Sequence, residues 1–292
     1  MAQSRSSPAQ AAPASAGANV PLGPSYSLTF SFEENFDVAG SVKWFNENLH
    51  IPFILGFGVY LSVLYFGQKI MANRDPIKAR TVLILWNIGL AIFSIMGFAR
   101  VAPEFFYTLN KFGFHHTICN NSYLQNKPVA FWIYLFVLSK TPELVDTLFL
   151  VLRKQKLIFL HVYHHATVLI FAWFVYANQV AAARWFCSMN YGVHSLMYTY
   201  YALKALPNLI WIPKWVSMFI TTLQTLQMVA GTYVVSAAFM EHLSGRPCAT
   251  NIGMSLLGLG IYFSYLILFS LFFYRAYCAP RPAIRQEDRK RV

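Results

Sequence analysis

Seven apolar stretches, each long enough to cross a lipid bilayer as a helix, limit the folds that are open to this chain. A helix needs roughly 20 mainly apolar residues to span the hydrocarbon core, and only helices and closed barrels satisfy their backbone hydrogen bonds there. The composition agrees, because 57% of the 292 residues are hydrophobic and only 12% are charged, against about 25% charged in a soluble domain. We predict an all-α membrane protein with seven transmembrane helices. The stretches lie near residues 51–70, 81–102, 128–152, 157–177, 185–203, 215–239 and 252–274.

The two ends of the chain differ from this apolar body. Residues 1–28 are rich in Ala, Ser and Pro and lack the apolar segment of a secretory signal, so we predict a disordered segment. A transit peptide is the alternative, although the single Arg of the segment speaks against it. Residues 29–276 form the predicted seven-helix domain, and residues 277–292 form a basic tail.

Basic residues are concentrated in the connections after the first, third and fifth stretches and in the tail. The other connections hold fewer, among them Arg100 and Arg184. By the positive-inside rule, the tail then lies in the cytosol and the N-terminus across the membrane. We interpret the net charge of +12 as topology signals and as partners for an anionic headgroup or nucleotide. Nucleic acid is not an expected partner.

Two of the four cysteines, Cys119 and Cys248, fall in loops that this topology places in the lumen. A disulfide persists in an oxidising compartment of that kind, so we predict that these cysteines are bonded to each other. The alternative is two unrelated small apolar residues. Asn120 begins an Asn-Asn-Ser glycosylation sequon on the same side, but it lies so close to the membrane that its occupancy is left open.

The fourth stretch carries the sequence HVYHH, in which His161, His164 and His165 share one face of a helix. A single buried histidine is more often a hydrogen-bonded core residue than a catalyst. Three histidines on one face within a membrane favour a functional site, because ionisable groups are rare and costly there.

Polar residues of neighbouring stretches lie at a similar depth, roughly 10–20 Å from the basic residues at the predicted cytosolic ends. A helix bundle builds a site from facing side chains, so we predict a polar layer nearer the cytosolic side. Beyond the three histidines, the layer contains Lys140, Glu143, Asp146, His194, Gln224 and Gln227. For the third stretch, the alternative is a local Lys140–Glu143 ion pair, with Asp146 close enough to the surface to be hydrated.

Four segments carry these residues: LSKTPELVDT (138–147), FLHVYHH (159–165), NYGVHSLMYTYYAL (190–203) and TTLQTLQM (221–228). In order and spacing they resemble the signature motifs of the ELO family of very-long-chain fatty-acid elongases, and the resemblance extends over roughly residues 30–280. The segment RKQKLIFLHVYHH further resembles the branch that acts on saturated and monounsaturated acyl chains. The polyunsaturated branch typically has Gln at the position of Lys156.

The resemblance implies an enzyme of the endoplasmic reticulum that condenses a fatty acyl-CoA with malonyl-CoA, giving 3-ketoacyl-CoA, CoA and CO2. It also implies that helices two to seven form a barrel around a narrow acyl tunnel. We expect no prosthetic group and no metal, and the absence of GxGxxG and P-loop motifs predicts that neither NADPH nor ATP binds. Expected partners are membrane lipid and the separate reductases and dehydratase of the elongation cycle, and a homo-oligomer is compatible with the sequence.

The predicted polar layer suits this chemistry. A neutral imidazole, favoured by burial, accepts an acyl group and leaves it about as activated as in a thioester, so we predict His164 as the acyl acceptor. Decarboxylation of malonyl-CoA creates an enolate that needs fixed hydrogen-bond donors. The available donors are His161, His165, His194, Asn190 and Gln224. The candidate substrate-binding residues are Lys140, Glu143, Asp146, Asn190, Tyr198, Tyr201, Gln224 and Gln227.

Basic residues near the predicted cytosolic face have further roles. The candidates for binding the CoA phosphates are Lys154, Lys156, Lys204 and Arg275. The tail ends in Arg289-Lys290-Arg291-Val292, which resembles a degenerate dilysine retrieval signal of the endoplasmic reticulum. The alternative is that these residues only set the topology or hold CoA phosphates.

Other classes of membrane protein also use buried histidines. A di-iron desaturase or hydroxylase is one alternative, but it needs more histidine boxes than this chain offers, because the other histidines lie in loops or at the ends of stretches. A transporter with a protonatable site near the middle of the membrane is another. It would move a substrate without forming a product, and it leaves the apolar lumenal half of the tunnel unexplained.

Overall fold

The chain is mainly helical in the part described by the computed structural model, which covers residues 23–24, 26–206 and 211–280. Most of the predicted disordered segment and of the basic tail, including Arg289 and Lys290, lies outside the described residues. Within them there is no strand. The α-helices are α1 (Ser31–Glu34), α2 (Val38–Glu47), α3 (Ile51–Phe53), α4 (Leu61–Ala72), α5 (Arg80–Cys119), α6 (Lys127–Ser139), α7 (Val145–Leu152), α8 (Phe159–Ala177), α9 (Ala183–Ala205), α10 (Lys214–Leu243) and α11 (Ile252–Phe273).

Among the described residues, five helical segments are long and apolar enough to span a membrane. They are Ile51–Ala72, Arg80–Cys119, Phe159–Ala177, Lys214–Leu243 and Ile252–Cys278. The first joins α3 to α4 through a π-helical segment, Ile54–Tyr60, and the last extends α11 through a second one. The chain is therefore a multi-pass membrane protein with an all-α fold.

The two remaining predicted spans are helical but do not meet the same criteria. The third is interrupted between α6 and α7 by a 3-10 turn, Pro142–Leu144, because Pro142 has no N–H to continue an α-helix. The fifth, α9, is long enough but less apolar, since it carries polar residues such as Asn190 and His194. The count of seven transmembrane helices therefore stays a prediction.

The long helices pack side by side. The α5 helix packs along α9, α9 against α10, α10 against α11, α11 against α8, α8 against α6, and α6 against α5. Each of these helices thus contacts at least two others, while α4 packs against α7 beside them. Close approach of α10 to α11 depends on Gly231, because a Cβ there would lie 2.0 Å from the ring of Tyr262.

The α5 helix continues well beyond the predicted span end at residue 102. It bends at Gly113, where the backbone leaves the helical region with φ 80°, a conformation that glycine adopts without steric cost. The short remainder ends at Cys119, which is bonded to Cys248 with an S–S distance of 2.00 Å. The predicted disulfide is therefore present, and Cys187 and Cys278 are free. We call this end of the helical bundle the disulfide end.

Loss of this bond should weaken the fold. We expect Cys248→Ser to lower the free energy of unfolding by about 2–4 kcal/mol, because the disulfide closes a long loop of the unfolded chain. The measurement is unfolding in detergent micelles under non-reducing conditions. The control is Cys278→Ser, which changes an exposed free cysteine. Equal stability of the two variants, or two free thiols in peptide mapping of the wild type, would contradict the prediction.

Buried ion pairs lie near the disulfide end. Arg184 donates to Glu104 at 2.9 Å, and neither side chain is exposed at all. Arg100 donates to Glu33 of α1 at 2.9 Å, and Trp132 donates to the same carboxylate at 2.7 Å. Both arginines were assigned to connections in the sequence. In the fold they instead tie helices together through charge-assisted hydrogen bonds.

Candidate active site

A large and a small cavity meet inside the bundle. We call the large one the chamber, with a volume of about 760 Å³, and the small one the channel, with a volume of about 40 Å³. The lining residues that they share are His164, Asn190, Gln227 and Met228. A partly polar compartment and an apolar one therefore meet at His164.

The chamber is lined by polar and apolar side chains in similar measure. Arg80, Arg153 and Lys204 line it where α5 begins and α9 ends, and we call this the basic end of the bundle. The predicted site residues that line the chamber are His161, His164, His165, His194, Asp146, Asn190, Tyr198, Tyr201, Gln224 and Gln227. The structure thus gathers most of the predicted polar layer around one cavity. The arginines and the lysine are suited to phosphate groups.

The channel is lined mainly by aliphatic and aromatic side chains of α6, α8, α9 and α11. Along α8 it extends from His164 to Val175, which corresponds to roughly 16 Å of helix. Its far end lies at Tyr176, whose hydroxyl is hydrogen bonded to Ser41 of α2 at 2.7 Å. Its lining is of the apolar kind that contacts hydrocarbon groups of a ligand.

The HVYHH face of α8 supplies the histidines at the junction. The ring centroids of His161 and His165 are 4.4 Å apart, and those of His164 and His165 are 5.4 Å apart. The ring of Tyr265 packs 5.0 Å from that of His164. Within the described residues no hydrogen bond occupies the ring nitrogens of His164, so this imidazole is available to a group held between chamber and channel.

The other histidines have different surroundings. His161 Nε2 lies 2.9 Å from the Thr147 hydroxyl, which is 2.8 Å from the hydroxyl of Tyr60. His165 is buried, and its Nδ1 has no partner among the described residues. His194 of α9 packs its ring 5.3 Å from that of Tyr198. His161 is thus held by hydrogen bonds, whereas His194 is held by packing.

A buried network surrounds Lys140 at the break between α6 and α7. Its amine lies 2.7 Å from Glu143 and donates to the side-chain oxygen of Asn190 at 3.2 Å. The Ser139 hydroxyl donates to the same Glu143 oxygen at 3.0 Å, and the second oxygen of Glu143 has no partner among the described residues. The local ion pair that the sequence allowed is formed, and it also connects the break to α9 beside the channel.

Asp146 is held from both sides. Trp86 of α5 donates to one of its oxygens at 2.6 Å, and Tyr198 of α9 donates to the other at 2.8 Å. The carboxylate therefore joins three helical segments at the wall of the chamber. Each of its two oxygens thus has a side-chain donor, and the residue also lines the chamber.

The remaining predicted residues fall in several places. Gln224 lines the chamber and donates to the sulfur of Met197 at 3.2 Å. Of the residues predicted to bind CoA phosphates, Lys204 lines the chamber. Lys154 donates to the backbone oxygens of residues 72 and 74 at 3.1 and 3.0 Å. Lys156 and Arg275 are exposed outside the residues that line the chamber, so the structure does not bring the four together.

Some site residues were missed in the sequence. Arg80 and Arg153 line the chamber, but their positions at helix ends indicated only topology. Trp86 and Tyr60 contact the polar layer, yet a single aromatic residue in an apolar stretch looks like any lipid-facing ring. Thr147 lies inside the LSKTPELVDT motif, and that position is the signal that could have identified it.

The histidines of the junction do not form a metal centre by themselves. Among the residues that the structure describes, no group of three or more His, Cys, Asp or Glu side chains is placed to hold a metal ion. Of the histidines outside the junction, His115 lies beside Glu241 at 3.2 Å. The imidazole groups at the junction are suited to acyl transfer and proton transfer.

Known proteins resemble this chain over most of its length. The sequence model of the ELO (GNS1/SUR4) family matches residues 44–284. Very long chain fatty acid elongase 6 of Drosophila melanogaster is 46% identical over 268 residues, covering 90% of this chain and 83% of the relative. The human protein of the same name is 40% identical over 250 residues, covering 85% and 92%. Fatty acid elongase 3 of Trypanosoma brucei brucei is 37% identical over 279 residues, covering 86% and 91%. The chain therefore belongs to the ELO family.

Proposed function

We propose that this chain is a fatty-acid elongase that condenses a long-chain fatty acyl-CoA with malonyl-CoA, the first step of a chain-elongation cycle. The observation that carries the proposal is the position of His164. It lies between the chamber, which has basic residues at one end, and the apolar channel. An acyl-CoA has the matching parts in the matching order: phosphates, a thioester and a hydrocarbon chain. The names of the relatives, which are fatty-acid elongases, support the same reaction.

The reaction proceeds in two half-reactions through an acyl-histidine. The unprotonated nitrogen of His164 attacks the thioester carbon and the C–S bond breaks. The CoA thiolate takes the proton from the other ring nitrogen and leaves as CoA. Malonyl-CoA then enters the chamber and loses CO2. The carbanion of its enolate forms a C–C bond to the acyl carbon while the bond to His164 breaks, and the imidazole takes up one proton from the medium to become neutral again. The product is 3-ketoacyl-CoA.

Neighbouring side chains assist these steps. His161, His165 and His194 are placed around the junction to donate to the enolate or to orient His164. Asn190 and Gln227 line both cavities, so they lie next to the reacting carbon when the thioester is bound at His164. Lys140 and Glu143 fix Asn190, and Asp146 fixes Tyr198 and, through it, the chamber wall. Gln224 and Tyr201 line the route of the malonyl group.

The basic end binds the nucleotide part of both substrates. Arg80, Arg153 and Lys204 lie at the chamber itself, and Lys154, Lys156 and Arg275 provide further positive charge at its periphery. Phosphate groups bind such clusters because guanidinium and ammonium groups donate charge-assisted hydrogen bonds. No prosthetic group takes part in this scheme, and the substrates acyl-CoA and malonyl-CoA supply all reacting atoms.

We propose the complete fold and its membrane placement on the same basis. Seven transmembrane helices cross the bilayer, and α5 to α11 form a six-span barrel around chamber and channel, which their pairwise packing supports. The N-terminus is lumenal and the basic tail cytosolic, as the charge distribution predicts. The enzyme resides in the endoplasmic reticulum, where it supplies the separate reductases and dehydratase. Residues 29–276 form the enzyme domain, and its substrates belong to the saturated and monounsaturated branch.

The test is an assay with purified protein in detergent micelles or liposomes. Labelled malonyl-CoA is added with acyl-CoAs of increasing length, saturated and unsaturated, and without any reductase. We expect labelled 3-ketoacyl-CoA and release of CO2 that depend on the acyl-CoA. Metal-dependent oxidation of the acyl chain would favour a desaturase or hydroxylase instead, and transport into liposomes without product would favour a transporter.

A further inference from the structure

Tyr60 lies on the first membrane segment, which stands beside the helices α5 to α11 that surround the cavities. The residue ends the π-helical segment Ile54–Tyr60 and is only 4% exposed, whereas its neighbours Val59 and Leu61 are exposed. A π-helical turn inside an α-helix is rare and is frequent at functional sites. The first segment therefore sends one polar group inward while the residues around it face outward.

The hydroxyl of Tyr60 begins a hydrogen-bonded chain to the histidines. It lies 2.8 Å from the hydroxyl of Thr147, and this hydroxyl lies 2.9 Å from Nε2 of His161. His161 lines the chamber and packs 4.4 Å from His165. Thr147 is completely buried, so water does not interrupt the chain there.

The chemistry of the three groups gives the chain a direction. A buried Tyr O–H needs an acceptor, since an unmade hydrogen bond is costly, and Thr147 is the one partner found for it among the described residues. Tyr60 therefore donates to Thr147. The Thr147 hydroxyl needs an acceptor for its own hydrogen, and among the described residues Nε2 of His161 is the one that remains for it. Nε2 is thus an acceptor, and the proton of the neutral His161 ring is on Nδ1.

We infer that Tyr60 is a positioning residue that acts through Thr147 to fix the tautomer of His161. The inference deepens the proposed function and rests on it for its effect on rate. With Nε2 engaged, the one N–H of His161 is on the other side of the ring and serves as a fixed donor for the chamber. In the reversed tautomer that donor is missing, and the Thr147 hydrogen loses its acceptor.

The test compares Tyr60→Phe with Tyr65→Phe in the full-length protein. The first change removes the hydroxyl and keeps the ring. The second removes the hydroxyl of an exposed tyrosine on the same segment, under Lys69. We expect Tyr60→Phe to lower kcat for condensation by about 10- to 100-fold, the range found when partners that orient a metal-bound histidine are removed, with little change in KM for acyl-CoA. Tyr65→Phe should match the wild type.

The tautomer itself is read by ¹⁵N NMR of histidine-labelled protein, with the His161 signals identified by their loss in His161→Gln. The wild type and Thr147→Ser, which keeps the hydroxyl, should show a single tautomer with the proton on Nδ1. Tyr60→Phe should show a mixture, and Thr147→Val provides the same test if Tyr60→Phe does not fold. An unchanged tautomer in both variants overturns the inference, even where the rate falls. A wild type that shows the tautomer but does not condense overturns the proposed function instead.

Discussion

The His164→Ala variant is expected to lose both the acylation half-reaction and the complete condensation, with a fall in kcat of about 10⁴-fold or more, as when other covalent nucleophiles are removed. The reason is geometric. His164 is the histidine that lines both the chamber and the channel and whose ring nitrogens have no hydrogen-bond partner among the described residues. Alanine leaves the thioester without an acceptor at the junction.

The measurement separates the two half-reactions. Wild-type protein mixed with acyl-CoA alone should release CoA in a stoichiometric amount and carry an acyl adduct on the HVYHH peptide. His164→Ala should do neither. Cys187 is the rival nucleophile, because its thiol is free and lines the channel, so Cys187→Ala should keep the adduct. Release of CoA only in the presence of malonyl-CoA would show that both substrates react in one complex, with His164 as a general base.

The Arg184→Met variant should lose the most stability of any single change considered. Arg184 and Glu104 form an ion pair in which both side chains are completely buried, and Arg184 also donates to the backbone oxygen of Asn120 at 2.6 Å. Removing the arginine leaves the Glu104 carboxylate buried without its counter-ion. Breaking a buried pair in this way costs about 3–5 kcal/mol.

A double variant distinguishes a lost charge partner from lost packing. Arg184→Met combined with Glu104→Gln removes both charges, so it should recover much of the stability lost in the single variant. Unfolding in detergent micelles measures all three proteins. Arg246→Met breaks the exposed pair with Glu241 and should leave stability unchanged within error. If Arg184→Met is as stable as this control, the pair does not hold the helices together.

Much of the helical organisation could be predicted from hydropathy. The described helices include all seven predicted apolar stretches, because each stretch is mainly apolar over a length that only a helix uses in a membrane. The interruption at Pro142–Leu144 was not predicted. Neither was the extension of α5 past residue 102. Its continuation to Gly113 contains Glu104 and Lys111, and hydropathy treats such charges as the end of a span.

The candidate site could be predicted where the pattern of residues lies within a single helix. The spacing of His161, His164 and His165 puts them on one face of α8 without any knowledge of neighbours. Contacts between helices were not predictable in the same way. Glu104 and Tyr60 each find their partners about 80 residues away in the chain. The spacing of residues within one helix does not show which polar residues of distant helices contact each other.

The way in which the channel joins the chamber has a consequence for the order of events in a catalytic cycle. The channel meets the chamber at His164, and its far end reaches Tyr176, whose hydroxyl is hydrogen bonded to Ser41 of α2. The lengthened acyl chain then leaves the channel through the chamber, by the same route through which the substrate acyl chain entered. Product and incoming acyl-CoA therefore compete for the same opening. Inhibition by the released 3-ketoacyl-CoA should be competitive with acyl-CoA, and turnover should slow as the departing tail grows longer.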